Sequence, residues 1–309
     1  MLLLTGATGE IGSALLPRLL AQETPVRCLV RDPRRLGPQR VRVQIALGDL
    51  TDPPSFRNAM RGVDTVVHLA AAIRDQPAGS IEELNGIATW RMVQAAREAG
   101  VQRFVFFSAI GASTHHRSRF FRAKALAEQA VREAGIACTI FSPSIVYAPG
   151  DRWLTLLERM SLAGLTPMSG SGRALYQPIW TEDVADCVVA ALRGGAAHGG
   201  TASGRNGLSS NGDGMFRQYE LAGPETLSEN DIVRLVLRSL GRRERLLHVP
   251  TPIVSRLLGL VERLAGSAAF ATWDEAELME ASMVSARGAA DAEALGIKPQ
   301  RMERVLGVG

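Results

Sequence analysis

Three glycines within seven residues, set just after a short apolar run, constrain this chain more than any other feature. The run Leu2–Leu4 leads directly into Thr5-Gly6-Ala7-Thr8-Gly9-Glu10-Ile11-Gly12, and a helical pattern follows at once. Glycines in this spacing allow a tight turn from strand to helix and let the helix pack close on the strand. They also leave room for a ligand to touch the backbone. The N–H groups at the start of a helix have no partner within it, and its dipole is positive there, so a diphosphate is the natural occupant. Gly6, Thr8, Gly9, Glu10, Ile11 and Gly12 are the expected contacts.

The rest of the first half agrees with that start. Near-continuous apolar runs at Val26–Val30, Val41–Leu47, Thr65–Leu69, Phe104–Phe107 and Cys138–Phe141 read as buried parallel strands. Helical stretches separate them, notably Ile81–Gly100 and Arg119–Gly135. The alternation predicts an α/β fold with a doubly wound parallel sheet of Rossmann type and a smaller, mostly helical C-terminal region. The expected division is 1–150 for the dinucleotide-binding domain, with 173–193 returning to it, and 151–309 for a substrate or partner region. Helices are expected at Trp153–Leu162, Thr181–Leu192, Ser228–Leu240 and Pro252–Leu264, with strand-like pieces at Tyr219–Leu221 and Leu246–Val249. Glycine, serine and asparagine crowd the stretch 194–216, which reads as a flexible loop.

At the end of the second run a carboxylate would hold the two adenosine ribose hydroxyls of NAD. The chain instead reads Arg31-Asp32-Pro33-Arg34-Arg35. Guanidinium groups grip a phosphate with paired hydrogen bonds, so Arg31 and Arg35 point to the 2′-phosphate of NADP. Asp32 keeps NAD open as the alternative. Net charge is +4, but the arginines are dispersed and no aromatic-basic interleaving is visible, so nucleic acid is not the expected partner. Cys28, Cys138 and Cys187 sit singly in apolar runs. That favours reduced thiols and a cytoplasmic protein over a disulfide or metal framework. No segment is long and apolar enough to be read as a transmembrane helix.

Taken together, these motifs resemble the extended and atypical short-chain dehydrogenase/reductases, most closely their NmrA-like and complex-I-accessory-subunit-like branches. The resemblance implies an adenine-contacting role for Asp49 and Leu50 in Gly48-Asp49-Leu50. It implies a strand end along the cofactor at His68-Leu69-Ala70-Ala71, so Ala70 and Ala71 join the expected site, and a helix asparagine at Asn85. Ser142-Pro143-Ser144-Ile145-Val146-Tyr147 resembles the family's segment beside the nicotinamide, which brings in Pro143 and Ser144. The family's YxxxK pair reads Phe120-Phe121-Arg122-Ala123-Lys124 here. Lys124 keeps the place of the lysine that binds the nicotinamide ribose. Phe120 replaces the tyrosine that moves a proton, and Ser108 lies near the position of the catalytic serine. Phenylalanine has no proton to give. His115 and His116 read as solvent-facing loop residues, and His68 as a satisfied core histidine.

Three functions follow. One is an NADP(H)-dependent oxidoreductase for a quinone- or enone-type small molecule. Another is a non-catalytic NADPH-binding sensor or accessory protein, with a protein partner or a second copy of the chain. The last is a sugar-nucleotide epimerase or dehydratase, which suffers most from the missing tyrosine.

Overall fold

The computed structural model describes residues 1–164, 166–194, 215–243, 245–250, 253–254, 256 and 273–308. Strands β1 (Leu2–Thr5), β2 (Val26–Val30), β3 (Gln44–Leu47), β4 (Thr65–His68), β5 (Arg103–Phe107) and β6 (Ala137–Pro143) come in the first half. Short strands β7 (Val146–Tyr147), β8 (Thr166–Ser169), β9 (Leu175–Tyr176) and β10 (Ile179–Trp180) follow, then β11 (Phe216–Leu221). Seven of these form one sheet in the order β3-β2-β1-β4-β5-β6-β11, every pair parallel. The chain leaves β1 toward one edge and returns to its other side at β4. At that reversal the carboxyl ends of the strands open a crevice, where ligands of such sheets bind.

Side-chain alternation distributes the core. Leu2, Leu4, Cys28, Val30 and Val105 face α1 (Glu10–Ala21) and α6 (Thr181–Gly194). Leu3, Leu29, Val66, Phe104 and Phe106 face α2 (Pro53–Ala59), α3 (Ala88–Glu98) and α4 (Arg119–Arg132). Each large side chain buried this way contributes about 1.5–3 kcal/mol, which makes the sheet a rigid mount for what its strand ends carry. A third cluster caps those ends. It combines Ile110, Phe120 and Phe121 with Leu154 and Leu157 of α5 (Arg152–Met160), and with Ile232 and Val236 of α7 (Glu229–Ser239).

Several boundaries shift from the sequence expectation. The third strand begins at Gln44, because Pro33–Arg42 is wound as 3-10 turns broken at Gly37, which takes φ +56°. The expected helix from Ile81 contains a π-helical turn, Glu83–Ile87, before α3. The late strand-like piece extends to Phe216–Leu221 and joins β6 as the outer strand of the main sheet. The sheet therefore does not stop at residue 150, and residue 216 belongs to a strand rather than to a loop. Most of the loop expected at 194–216 and of the helix expected at Pro252–Leu264 lies outside the described residues. The strand at Leu246–Val249 is present and pairs with β8.

Candidate functional site

The glycine turn is built as a cradle. Gly6 takes φ +72°, and a Cβ there would stand 2.7 Å from the Ala70 nitrogen. A Cβ on Gly12 would stand 2.1 Å from the Gly6 carbonyl oxygen. No side chain fits at either position, so the turn keeps its backbone bare and α1 tight against β1. Thr5 fixes the floor. Its Oγ1 lies 2.8 Å from His68 Nδ1, and the other ring nitrogen of His68 lies 3.0 Å from Thr89 Oγ1. His68 is fully buried, and burial, with the Lys124 charge adding to it, lowers its pKa to about 3. It is a neutral core histidine.

A cleft of about 290 Å³ opens above this floor. Thr5, Gly6, Thr8, Gly9, Arg31, Arg35, Asp49, Leu50, Ala70 and Ala71 line it, and Leu29, Val30, Gly48, Leu69, Ala72, Gln76 and Leu84 complete the wall. Glu10, Ile11 and Gly12, expected as contacts, are not among the lining residues; they form the first turn of α1. A bare glycine turn at a helix start, bordered by two arginines and an apolar slot beside Leu50, fits a dinucleotide: diphosphate on the turn, adenine in the slot. Asp32 does not line the cleft. It caps the 3-10 turn, accepting the Arg34 backbone N–H at 3.0 Å and its guanidinium Nε at 3.0 Å, and Arg34 holds its carboxyl below the usual range. Asp49 accepts the Thr51 N–H and hydroxyl, each at 2.9 Å, and one of its oxygens stands 3.9 Å from Arg31.

Asn85 holds the far wall in place. Its Nδ2 donates to the carbonyls of Ala72 at 2.7 Å and Ile81 at 2.8 Å, and its Oδ1 accepts the Ala72 N–H at 3.0 Å. Gln76 is a lining residue that sequence reading missed. It sits in an irregular loop whose path no local pattern announces.

Around the expected nicotinamide position the residues are packed inward. Lys124 is 3% exposed and its Nζ donates to the Phe107 carbonyl at 2.6 Å. The ammonium lies 5.0 Å from the Phe106 ring centre and 5.7 Å from that of Phe120. Burial among these rings pulls its pKa down to about 7. Phe120 is buried in the third cluster, stacked edge-on against Phe121. The Ser108 hydroxyl is buried with no hydrogen-bond partner, and so is that of Tyr147. Pro143 gives its carbonyl to the Ile110 N–H. Ser144 is committed elsewhere: its hydroxyl donates to the Met283 carbonyl at 2.6 Å and accepts the Gln177 N–H at 3.0 Å. His116 is half-buried rather than solvent-facing. Its Nδ1 accepts the Ser118 N–H, its ring packs on Phe121, and burial lowers its pKa. Among the described residues, no cluster of His, Cys, Asp or Glu is placed to hold a metal, and no helix is long and apolar enough to cross a membrane.

A family model described as NAD(P)H-binding matches residues 6–194, the span that carries the cradle, the cleft walls and Lys124. The chain belongs to that family. Its relatives fit the extended short-chain dehydrogenase/reductase branch. It is 26% identical to the mitochondrial NADH dehydrogenase [ubiquinone] 1 alpha subcomplex subunit 9 of Arabidopsis thaliana, over 82% of this chain and 61% of that protein. The chain thus spans about six tenths of that relative's length. It is 30% identical to the (4-alkanoyl-5-oxo-2,5-dihydrofuran-3-yl)methyl phosphate reductase of Streptomyces griseus, over 78% of this chain and 74% of the relative. Its fold matches a nucleoside-diphosphate-sugar epimerase of Staphylococcus aureus with a TM-score of 0.73, at 18% identity over 99% of both chains. This NAD(P)H-binding protein is therefore of the Rossmann, dehydrogenase/reductase type.

Proposed function

We propose that the protein binds NADP(H) and passes hydride to an electron-poor small molecule, a quinone or a conjugated enone, while the balancing proton comes from water. The observation that carries this reading is the cleft lining. Arg31 and Arg35 both line the cleft, while Asp32, the carboxylate that would suit NAD, is outside the lining and bound to Arg34. Two cations without that carboxylate favour a phosphate over a pair of hydroxyls.

Bound NADPH supplies the hydride. The chain's own residues then limit the acceptor. Reducing a plain carbonyl requires a proton at its oxygen as the hydride arrives, and Phe120 has none to give. In an enone, hydride bonds to the β-carbon and the double-bond electrons move onto the carbonyl oxygen. A quinone accepts them in the same way. The resulting enolate or phenolate is stable enough to collect its proton from water. The Streptomyces relative supports this substrate class, since its name describes a ring double bond conjugated with carbonyl groups.

A second reading has its own observation. Lys124 is sealed beneath Phe120 and engaged by the Phe107 carbonyl. A site closed on that side suits a protein that holds NADPH as a structural or regulatory ligand, and the complex I subunit among the relatives supports it. Pairing with a protein partner or a second copy is supported by Ile87, Trp90 and Leu126, apolar residues exposed on the π turn, α3 and α4 respectively. Cytoplasmic residence is supported by the three buried free thiols.

The test follows NADPH absorbance with panels of quinones, enones and aldehydes, using the intact protein and Phe120→Tyr. Oxidation by quinones or enones but not by aldehydes is expected, with aldehyde reduction appearing in Phe120→Tyr. Tight binding of NADPH with no oxidation by any acceptor would move the conclusion to the accessory reading.

A further inference from the structure

Gln76 lines the cleft together with Arg31 and Arg35. Its Oε1 accepts a hydrogen bond from Arg31 Nη1 at 3.3 Å, so two lining residues are joined to each other. The residue is not loosely held. Gln76 and Gly79 exchange both backbone hydrogen bonds at 3.0 Å, closing a tight turn through Pro77 and Ala78. The residue before it, Asp75, accepts the Ile81 N–H at 2.8 Å and accepts from both terminal guanidinium nitrogens of Arg119 at 3.1 Å. Arg119 is also bound to Glu82 at 2.7 Å and 2.8 Å, so the turn is anchored to the first residue of α4. The strap from Asp75 to Glu82 thus presents one amide to one arginine at a fixed place.

We propose that Gln76 is a specificity-determining residue for the cofactor, reading the 2′-phosphate together with Arg31. This rests on the NADP(H) reading above and adds a residue to it. The chemistry is that of a primary amide, which carries an acceptor and two donors on one rigid plane. The acceptor end holds the Arg31 guanidinium over the cleft. The amide N–H groups remain for a phosphate oxygen, which a guanidinium alone would meet from one side. A 2′-hydroxyl is smaller and uncharged and gains little from either group. The amide therefore adds to NADPH affinity and leaves NADH affinity almost unchanged.

The strap also explains why this position could be selective at all. An amide on a free loop would lose, in ordering, much of what a single hydrogen bond provides. Here the turn is closed before the ligand arrives.

The experiment measures NADPH and NADH dissociation constants for the unaltered chain, Gln76→Ala and Gln76→Glu, by the rise in bound-nucleotide fluorescence. Gln76→Ala should weaken NADPH three- to tenfold and change NADH less than twofold. Gln76→Glu should weaken NADPH more than tenfold, because its carboxylate pairs with Arg31 and faces the phosphate. It should also tighten NADH, because that carboxylate can accept the ribose 2′-hydroxyl. Retained NADH binding shows that both variants fold. Equal losses for the two nucleotides, or a selectivity change under twofold in both variants, would overturn the inference while the arginine reading stood. If the unaltered protein shows no preference for NADPH, the underlying reading fails, and the role of Gln76 fails with it.

Discussion

A lysine ammonium in water keeps its charge far above neutral pH, but Lys124 has exchanged water for two aromatic faces and one carbonyl oxygen. Burial lowers its pKa from the ordinary 10.5 to about 7. The sign of the consequence follows from proton counting. Between about pH 7 and 10.5 the unfolded chain holds this proton and the folded chain has released it, so this residue makes folding more favourable as pH rises through that window. Below pH 7 both states are protonated and the residue adds no pH dependence. The chain has only two lysines, Lys124 and Lys298, so the titration can be watched directly. With 13Cε-labelled lysine and Lys298→Arg to assign the signals, the Lys124 resonance should titrate with a midpoint near 7. A midpoint above pH 10 would show that the ammonium is solvated and that the ring packing around it is wrong. The residue itself was legible in the sequence, since its spacing from Phe120 matches a known pair. Its burial was not, because that depends on rings contributed by β5 and α4 together.

Among the elements, the π turn ahead of α3 has a definite task. An extra residue per turn rotates Asn85 inward, where it is 1% exposed and closes three hydrogen bonds onto Ala72 and Ile81. Those bonds fix the segment after β4 that walls the cleft. Asn85→Ala leaves the buried N–H and C=O of Ala72 without these partners, at a cost of about 1–3 kcal/mol for unsatisfied groups. The expected outcome is a lower urea midpoint together with weaker binding of both nucleotides alike, since the wall and not the phosphate contact is loosened. Unchanged stability would mean that water replaces the amide. Asn85 was singled out by its place in a familiar motif, but apolar periodicity could not reveal the π turn, because the turn covers only the five residues Glu83–Ile87, too few to set a period of their own. The same limit explains the late start of β3. Val41 continues the apolar run, yet Gly37 and the preceding Pro33 commit that stretch to 3-10 turns.

For the molecule as a whole, the sheet order and the cleft follow from features that are local in sequence. A strand leads into a glycine turn, and apolar runs alternate with helices. These pieces were readable because each is decided within about 20 residues. The seventh strand was not readable as part of the sheet. Phe216–Leu221 reaches β6 only after the chain has passed through the capping cluster, and nothing in its own residues names that partner. Gln76 escaped for the same reason, since its value lies in facing Arg31 across 45 residues of chain. The most direct test of nucleotide binding is calorimetric titration of NADPH and NADH into the intact chain and into Arg31→Ala. One NADPH site per chain is expected, with the variant losing at least tenfold for NADPH and little for NADH. No heat from either nucleotide, or equal losses for both, would contradict that.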